Sequence, residues 1–111
     1  MEWITFVESR KFERVRRTLW SDEEFAEFQE FLTRNPLTGD VIPGTNGLRK
    51  VRFSQPSRNK GKRGGVRVIY FWQRSDSQIW LLSMYSKDKQ DDLKDQDLIE
   101  LSKLVRSFTG E

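Results

Sequence analysis

Val66-Arg67-Val68-Ile69-Tyr70-Phe71-Trp72 and, a short step later, Ile79-Trp80-Leu81-Leu82-Ser83-Met84-Tyr85 decide the fold. Both runs are rich in β-branched and aromatic residues, which fit a pleated surface, so they read as strands. Arg74-Ser75-Asp76-Ser77 between them is turn chemistry and makes the pair a hairpin. For most of their length the runs are apolar on both sides, which places them at the centre of the sheet.

Upstream, Leu48 to Phe53 is a further strand in which Arg49, Val51 and Phe53 share one side and Lys50 and Arg52 the other, because strand side chains alternate. The connection before it holds Pro36, Gly39, Pro43, Gly44 and Gly47 and reads as irregular surface chain. Ser21-Asp22-Glu23-Glu24 has the form of a capping box, followed by Phe25, Phe28, Phe31 and Leu32 at helical spacing, and Asn35-Pro36 ends that helix near Arg34. Phe12, Val15 and Leu19 mark one face of a shorter helix, with Arg10, Lys11, Arg14, Arg16 and Arg17 on the others. Trp3 to Val7 is a first strand. Downstream, Leu98, Leu101, Val105 and Phe108 share a face of a last helix. The order β-α-α-β-β-β-α predicts an α+β domain over residues 1–111, with helices packed on an antiparallel sheet.

Eight Phe, four Trp and two Tyr supply that domain's core from few, large side chains. The absence of Cys and His removes disulfides, thiolate chemistry, and the commonest general base and metal ligand. Any chemistry then rests on Lys, Arg, Tyr, Ser, Asp or Glu. Glu2 and Glu8 stand where a signal peptide needs positive charge, and no apolar run approaches the ~20 residues that cross a bilayer. The expectation is a soluble cytoplasmic protein with no membrane partner.

The net charge of +3 conceals an asymmetry: residues 41–75 hold nine Lys/Arg and no Asp/Glu, so that this block carries +9 against −6 for the remainder. The natural partner of such a block is a polyanion. Within it, Ser57-Arg58-Asn59-Lys60-Gly61-Lys62-Arg63-Gly64-Gly65, followed by Arg67, sets mutually repelling cations among glycines whose backbone can approach a phosphate. The plainer reading is a Lys-rich loop that protects a sheet edge. Gly61-Lys62-Arg63-Gly64 has the GXXG form of KH domains but lies between strands, the aromatic positions of an RRM signature are missing, and there is no P-loop.

Tyr85 and Lys87 share side-chain parity at the end of the last strand, within reach of Arg67 if the two central strands pair. A phenol and an ammonium among other cations can serve as acid or base where His is missing. The alternative is Tyr85 as an edge of the core and Lys87 as a solvated charge. Asp88, Asp91, Asp92, Asp95 and Asp97 lack the spacing of a Ca²⁺ loop and suit the positive end of the last helix, so no metal site is expected.

Gly47-Leu48-Arg49-Lys50-Val51-Arg52, then Gly61 to Tyr70, then Leu81-Leu82-Ser83-Met84-Tyr85-Ser86-Lys87 with Asp91-Asp92-Leu93, resemble in order and spacing the HigB branch of the RelE superfamily of toxins. The resemblance implies a RelE-like fold and the toxic half of a bacterial type II toxin–antitoxin pair. It implies a ribosome-dependent mRNA endonuclease that cuts the A-site codon by 2′-OH attack, without metal or other cofactor. The family's cationic site falls on Lys60, Lys62, Arg67, Tyr85 and Lys87. Arg67 with Lys62 would stabilise the phosphorane, Lys60 or Tyr85 would take the 2′ proton, and Lys87 would protonate the leaving oxygen. Arg49, Lys50, Arg52, Arg58 and Arg63 would hold phosphates of mRNA or ribosomal RNA on the 70S ribosome.

The implied partner is a helix-turn-helix, HigA-like antitoxin, either folded over the cationic block or blocking ribosome entry by bulk. The rival reading is a noncatalytic toxin on the same scaffold with another target such as gyrase, as in ParE toxins, or a subunit of an antitoxin–repressor complex.

Overall fold

The computed structural model describes residues 3–54, 65–86 and 94–109, without the side chains of 108 and 109. Chain order is β1 (Thr5–Glu8), α1 (Arg10–Leu19), α2 (Asp22–Arg34), β2 (Asp40–Val41), β3 (Arg49–Phe53), β4 (Val66–Gln73), β5 (Gln78–Ser86) and α3 (Asp95–Thr109). The strands form one sheet in the order β1-β5-β4-β3-β2. The apolar hairpin thus lies inside the sheet, as its two-sided hydrophobicity requires. Its connection is a short 3-10 turn, Arg74–Asp76, closed by Ser77 at φ 53°.

Two features depart from the sequence reading. The sheet is mixed, because β1 runs parallel to β5 while the other pairs are antiparallel. The direction of an edge strand is not written in its own residues. Here it follows from the start of α1, whose N-cap Ser9 donates its N–H to the Leu81 carbonyl at 2.9 Å and so ties the end of β1 to mid-β5. The Pro- and Gly-rich connection before β3, irregular by its composition, contains β2, two residues paired with Arg49 and Lys50. A strand that short carries no periodicity of its own and forms only against β3.

The helices obey their local signals. Ser21 accepts from the Glu24 N–H at 3.1 Å while the Glu24 carboxylate accepts from the Ser21 N–H at 2.8 Å, the reciprocal bonds of a capping box. α1 and α2 cover one face of the sheet. Phe12, Trp20, Phe25, Phe28 and Leu32 pack there on Val51, Phe53, Val66, Val68, Tyr70, Ile79, Leu81 and Met84. Phe53 meets Trp20 and Phe28 in T-shaped contacts at centroid distances of 5.9 and 5.2 Å. Burying one such ring is worth about 1.5–3 kcal/mol. α3 covers part of the opposite face, where Val105, Leu98 and Leu101 meet Leu48, Ile69, Phe71 and Leu82. Asn46 Nδ2, from the turn before β3, fastens α3 by donating to Ser102 Oγ at 2.7 Å.

Candidate nucleic-acid interface

Side chains on the α3 face come from Lys50 and Arg52 of β3, from Arg67, Ile69 and Phe71 of β4, and from alternate positions of β5. Arg52 lies directly opposite Arg67 and Arg67 directly opposite Tyr85, so the three form a row across three adjacent strands. Directly paired residues hold their Cβ atoms about 5 Å apart. Two like charges in that position repel, and β3, β4 and β5 contain no Asp or Glu. Lys50, Ile69 and Ser83 form the next row.

The row depends on an irregularity. Between the pairs Ile69↔Ser83 and Tyr70↔Leu81, Leu82 is an extra residue in β5. Leu82 and Tyr85 both belong to the core under α3, while Leu81 and Met84 belong to the core under α1 and α2. A bulge of one residue reverses the side-chain alternation beyond it. In a regular β5, residue 85 would share the face of Leu81. The bulge instead turns Tyr85 toward Arg67. No local signal marks Leu82, which follows three apolar residues, Ile79, Trp80 and Leu81. Nor does any local signal mark the residue that supports the bulge: Ser9 Oγ donates to the Leu82 carbonyl at 3.0 Å while accepting from the Phe12 N–H.

Exposure grades along the row. Arg52 is exposed, Arg67 is only 9% exposed and Tyr85 6%, its ring being part of the α3 core. Tyr85 is thus an edge of the core, and its register sets it directly opposite Arg67. A guanidinium largely withdrawn from water acts on a nearby anion through a weaker dielectric than bulk solvent, which strengthens the attraction. The row can hold a phosphate between two guanidinium groups, and the phenol can donate or accept a proton.

Arg49 stands apart. It is on the opposite face, where its Nη1 donates to the carbonyls of Gly39 and Leu37 at 2.6 and 3.2 Å, fastening the chain before β2. Gly65 is explained by packing, since a Cβ there, at φ 67°, would stand 2.3 Å from the Phe53 carbonyl oxygen. Arg58, Lys60, Lys62, Arg63 and Lys87 lie outside the described residues, as do Gly61, Gly64, Asp88, Asp91 and Asp92. Asp95 and Asp97 occupy the first turn of α3, where negative charge complements the helix dipole. Among the described residues no group of three or more carboxylates could hold a metal ion, and no helix is long and apolar enough to cross a membrane.

No protein-family model matches the chain. Its fold is that of RelE toxins. The intact E. coli RelBE toxin–antitoxin complex matches with a TM-score of 0.57 and 13% identity, over 76% of this chain and 96% of that one. A free-state arginine variant of E. coli toxin RelE matches with 0.55 and 10%, over 79% and 87%. The archaeal RelE–RelB complex of Pyrococcus horikoshii matches with 0.51 and 23%, over 76% and 94%.

Proposed function

We propose that this chain, built on the RelE fold, is the toxin of a type II toxin–antitoxin pair of the HigB branch and a ribosome-dependent mRNA endonuclease. The observation that carries the reading is the Arg52–Arg67–Tyr85 row, two opposed cations and a phenol on three adjacent strands that contain no Asp or Glu of their own. A structural sheet gains nothing from opposing two arginines, whereas a phosphodiester between them offsets their repulsion.

In the reaction the 2′ oxygen of a nucleotide attacks the adjacent phosphorus, the bond to the 5′ oxygen breaks, and a 2′,3′-cyclic phosphate and a 5′-OH result. Arg67, with Lys62, carries the charge that builds on the phosphorane, a role in which one donor is worth about 10²- to 10³-fold. Tyr85 or Lys60 accepts the 2′ proton and Lys87 supplies the proton to the leaving 5′ oxygen. These proton transfers contribute a further ~10²- to 10⁴-fold. Arg52, Lys50, Arg58 and Arg63 hold flanking phosphates. Arg49, whose guanidinium is committed to backbone carbonyls, contributes to RNA binding only indirectly, by shaping the edge of the sheet. A cognate helix-turn-helix antitoxin would hold the toxin inactive in the cytoplasm.

The test is primer extension on a defined mRNA, free and then bound in a ribosome with an open A site. Cuts only on the ribosome are expected. Arg67→Ala and Lys62→Ala should each lower cleavage by about 10²- to 10³-fold with an unchanged fold. Absence of cuts in both settings would overturn the reading in favour of a noncatalytic toxin.

A further inference from the structure

The chain's second concentration of positive charge lies outside the 41–75 block, on α1. Arg10, Lys11, Arg14 and Arg17 are all exposed there. Phe12 is fully buried and Val15 and Leu19 pack beside it, so the helical repeat sets Arg10, Arg14 and Arg17 along the line diametrically opposite, with Lys11 at its flank. The three arginines border a shallow open groove together with Glu13. Glu13 accepts from Arg17 at 2.9 Å. Arg16 belongs to a different environment, reaching Glu8 and Asp22 and lying 4.3 Å over the Phe25 ring. Among the described residues Arg10, Lys11 and Arg14 enter no ion pair. Three uncompensated cations on one helix repel one another and weaken that helix unless an anion is supplied.

We propose that this outer stripe of α1 binds the phosphate backbone of double-helical RNA; on the reading above, which this inference extends, that RNA is ribosomal. Arg10 to Arg17 spans about 10 Å along the axis, a straight and rigid row suited to successive phosphates of a stiff strand. Arginine predominates, and its planar fork grips phosphate in two-point contacts. A protein interface would need an apolar or aromatic anchor at its centre. The stripe has none, because the exposed large apolar residues Trp3, Leu37, Val41, Ile99 and Leu104 lie elsewhere.

The stripe and the Arg52–Arg67–Tyr85 row also face opposite ways, since α1 packs on one side of the sheet and the row is on the other. The molecule is 23 Å through its thinnest dimension. A strand of mRNA lying on the row does not also reach the stripe, so the stripe serves a second RNA element on the far side.

The test compares two variants of equal charge for binding to a short blunt RNA duplex across a salt series. One is Arg10→Gln/Lys11→Gln/Arg14→Gln. The other is Arg34→Gln/Arg74→Gln/Lys103→Gln, three exposed cations scattered over the surface. Thermal unfolding checks that both fold like the parent. The stripe variant should lose about three from the slope of log affinity against log salt, and the scattered variant much less. Equal losses in the two, or no loss in the stripe variant, would overturn the proposal. The same proteins go into the ribosome cleavage assay. A parent that binds duplex through the stripe but cuts no mRNA would overturn the nuclease reading and leave the stripe standing, while an active nuclease with stripe-independent duplex affinity would do the reverse.

Discussion

Tyr70 joins the sheet to the chain that leads into β2. Its ring is fully buried, and its hydroxyl donates to the Pro36 carbonyl at 2.7 Å while accepting from the Gly39 N–H at 3.0 Å. Gly39 is close enough that a Cβ would stand 2.9 Å from the Tyr70 ring. Burial pushes the phenol up from its ordinary value, a shift that the Gly39 N–H and the charge of Arg49 partly offset. A raised folded-state pKa means that the unfolded chain loses the proton first. The contribution of Tyr70 is therefore fully present below about pH 10 and declines as pH rises through the folded-state value. Tyr70→Phe should cost about 1–3 kcal/mol at neutral pH by orphaning the Gly39 N–H and the Pro36 carbonyl. Its stability should also fall less steeply than the parent's in alkali. Urea unfolding across the alkaline range checks both, and parallel curves would contradict the role given to the phenol.

Between elements, the junction of β1 and α1 sets the position of β5. Ser9 caps α1 through Phe12 and with the same hydroxyl takes the Leu82 carbonyl, a group that the bulge withdraws from the regular ladder. Ser9→Ala removes a cap worth about 1 kcal/mol and leaves the Leu82 carbonyl short of a donor. The expected result is a loss of about 1–2 kcal/mol in unfolding free energy, with faster amide exchange near Leu82 and, on the nuclease function proposed above, a reduced cleavage rate through misplacement of Tyr85. Wild-type exchange at Leu82 in this variant would show that the bulge holds itself.

Across the whole molecule, the two faces of the sheet are closed differently. α1 and α2 bury one with an aromatic cluster, whereas among the described residues α3 is the helix that packs on the other, and Arg52 at the end of the row is exposed. Ending the chain before Lys94 would strip α3 from Leu48, Ile69, Phe71 and Leu82. The shortened protein should bind a hydrophobic dye and lose its near-ultraviolet dichroism while keeping most of its secondary structure. Cooperative unfolding with the parent's midpoint would mean that α3 is dispensable to the core.

What the sequence determined by itself is what local physics can encode. The capping box at Ser21, the proline after Asn35, the apolar line of Phe12, Val15 and Leu19 and the two-sided apolar runs each act within a few residues, and each element stands where its signal put it. Alternation likewise separated Arg49 from Lys50 and Arg52. The rest was decided by partners distant in the chain. The parallel direction of β1 follows from Ser9 meeting Leu81 and Leu82 of β5, β2 exists only against β3, and Tyr85 faces Arg67 because β5 carries one residue more than β4 between two pairs. An extra residue in a ladder is a relation between two strands, and neither strand contains it alone. The tertiary structure therefore chose the face on which the phenol of this site would stand.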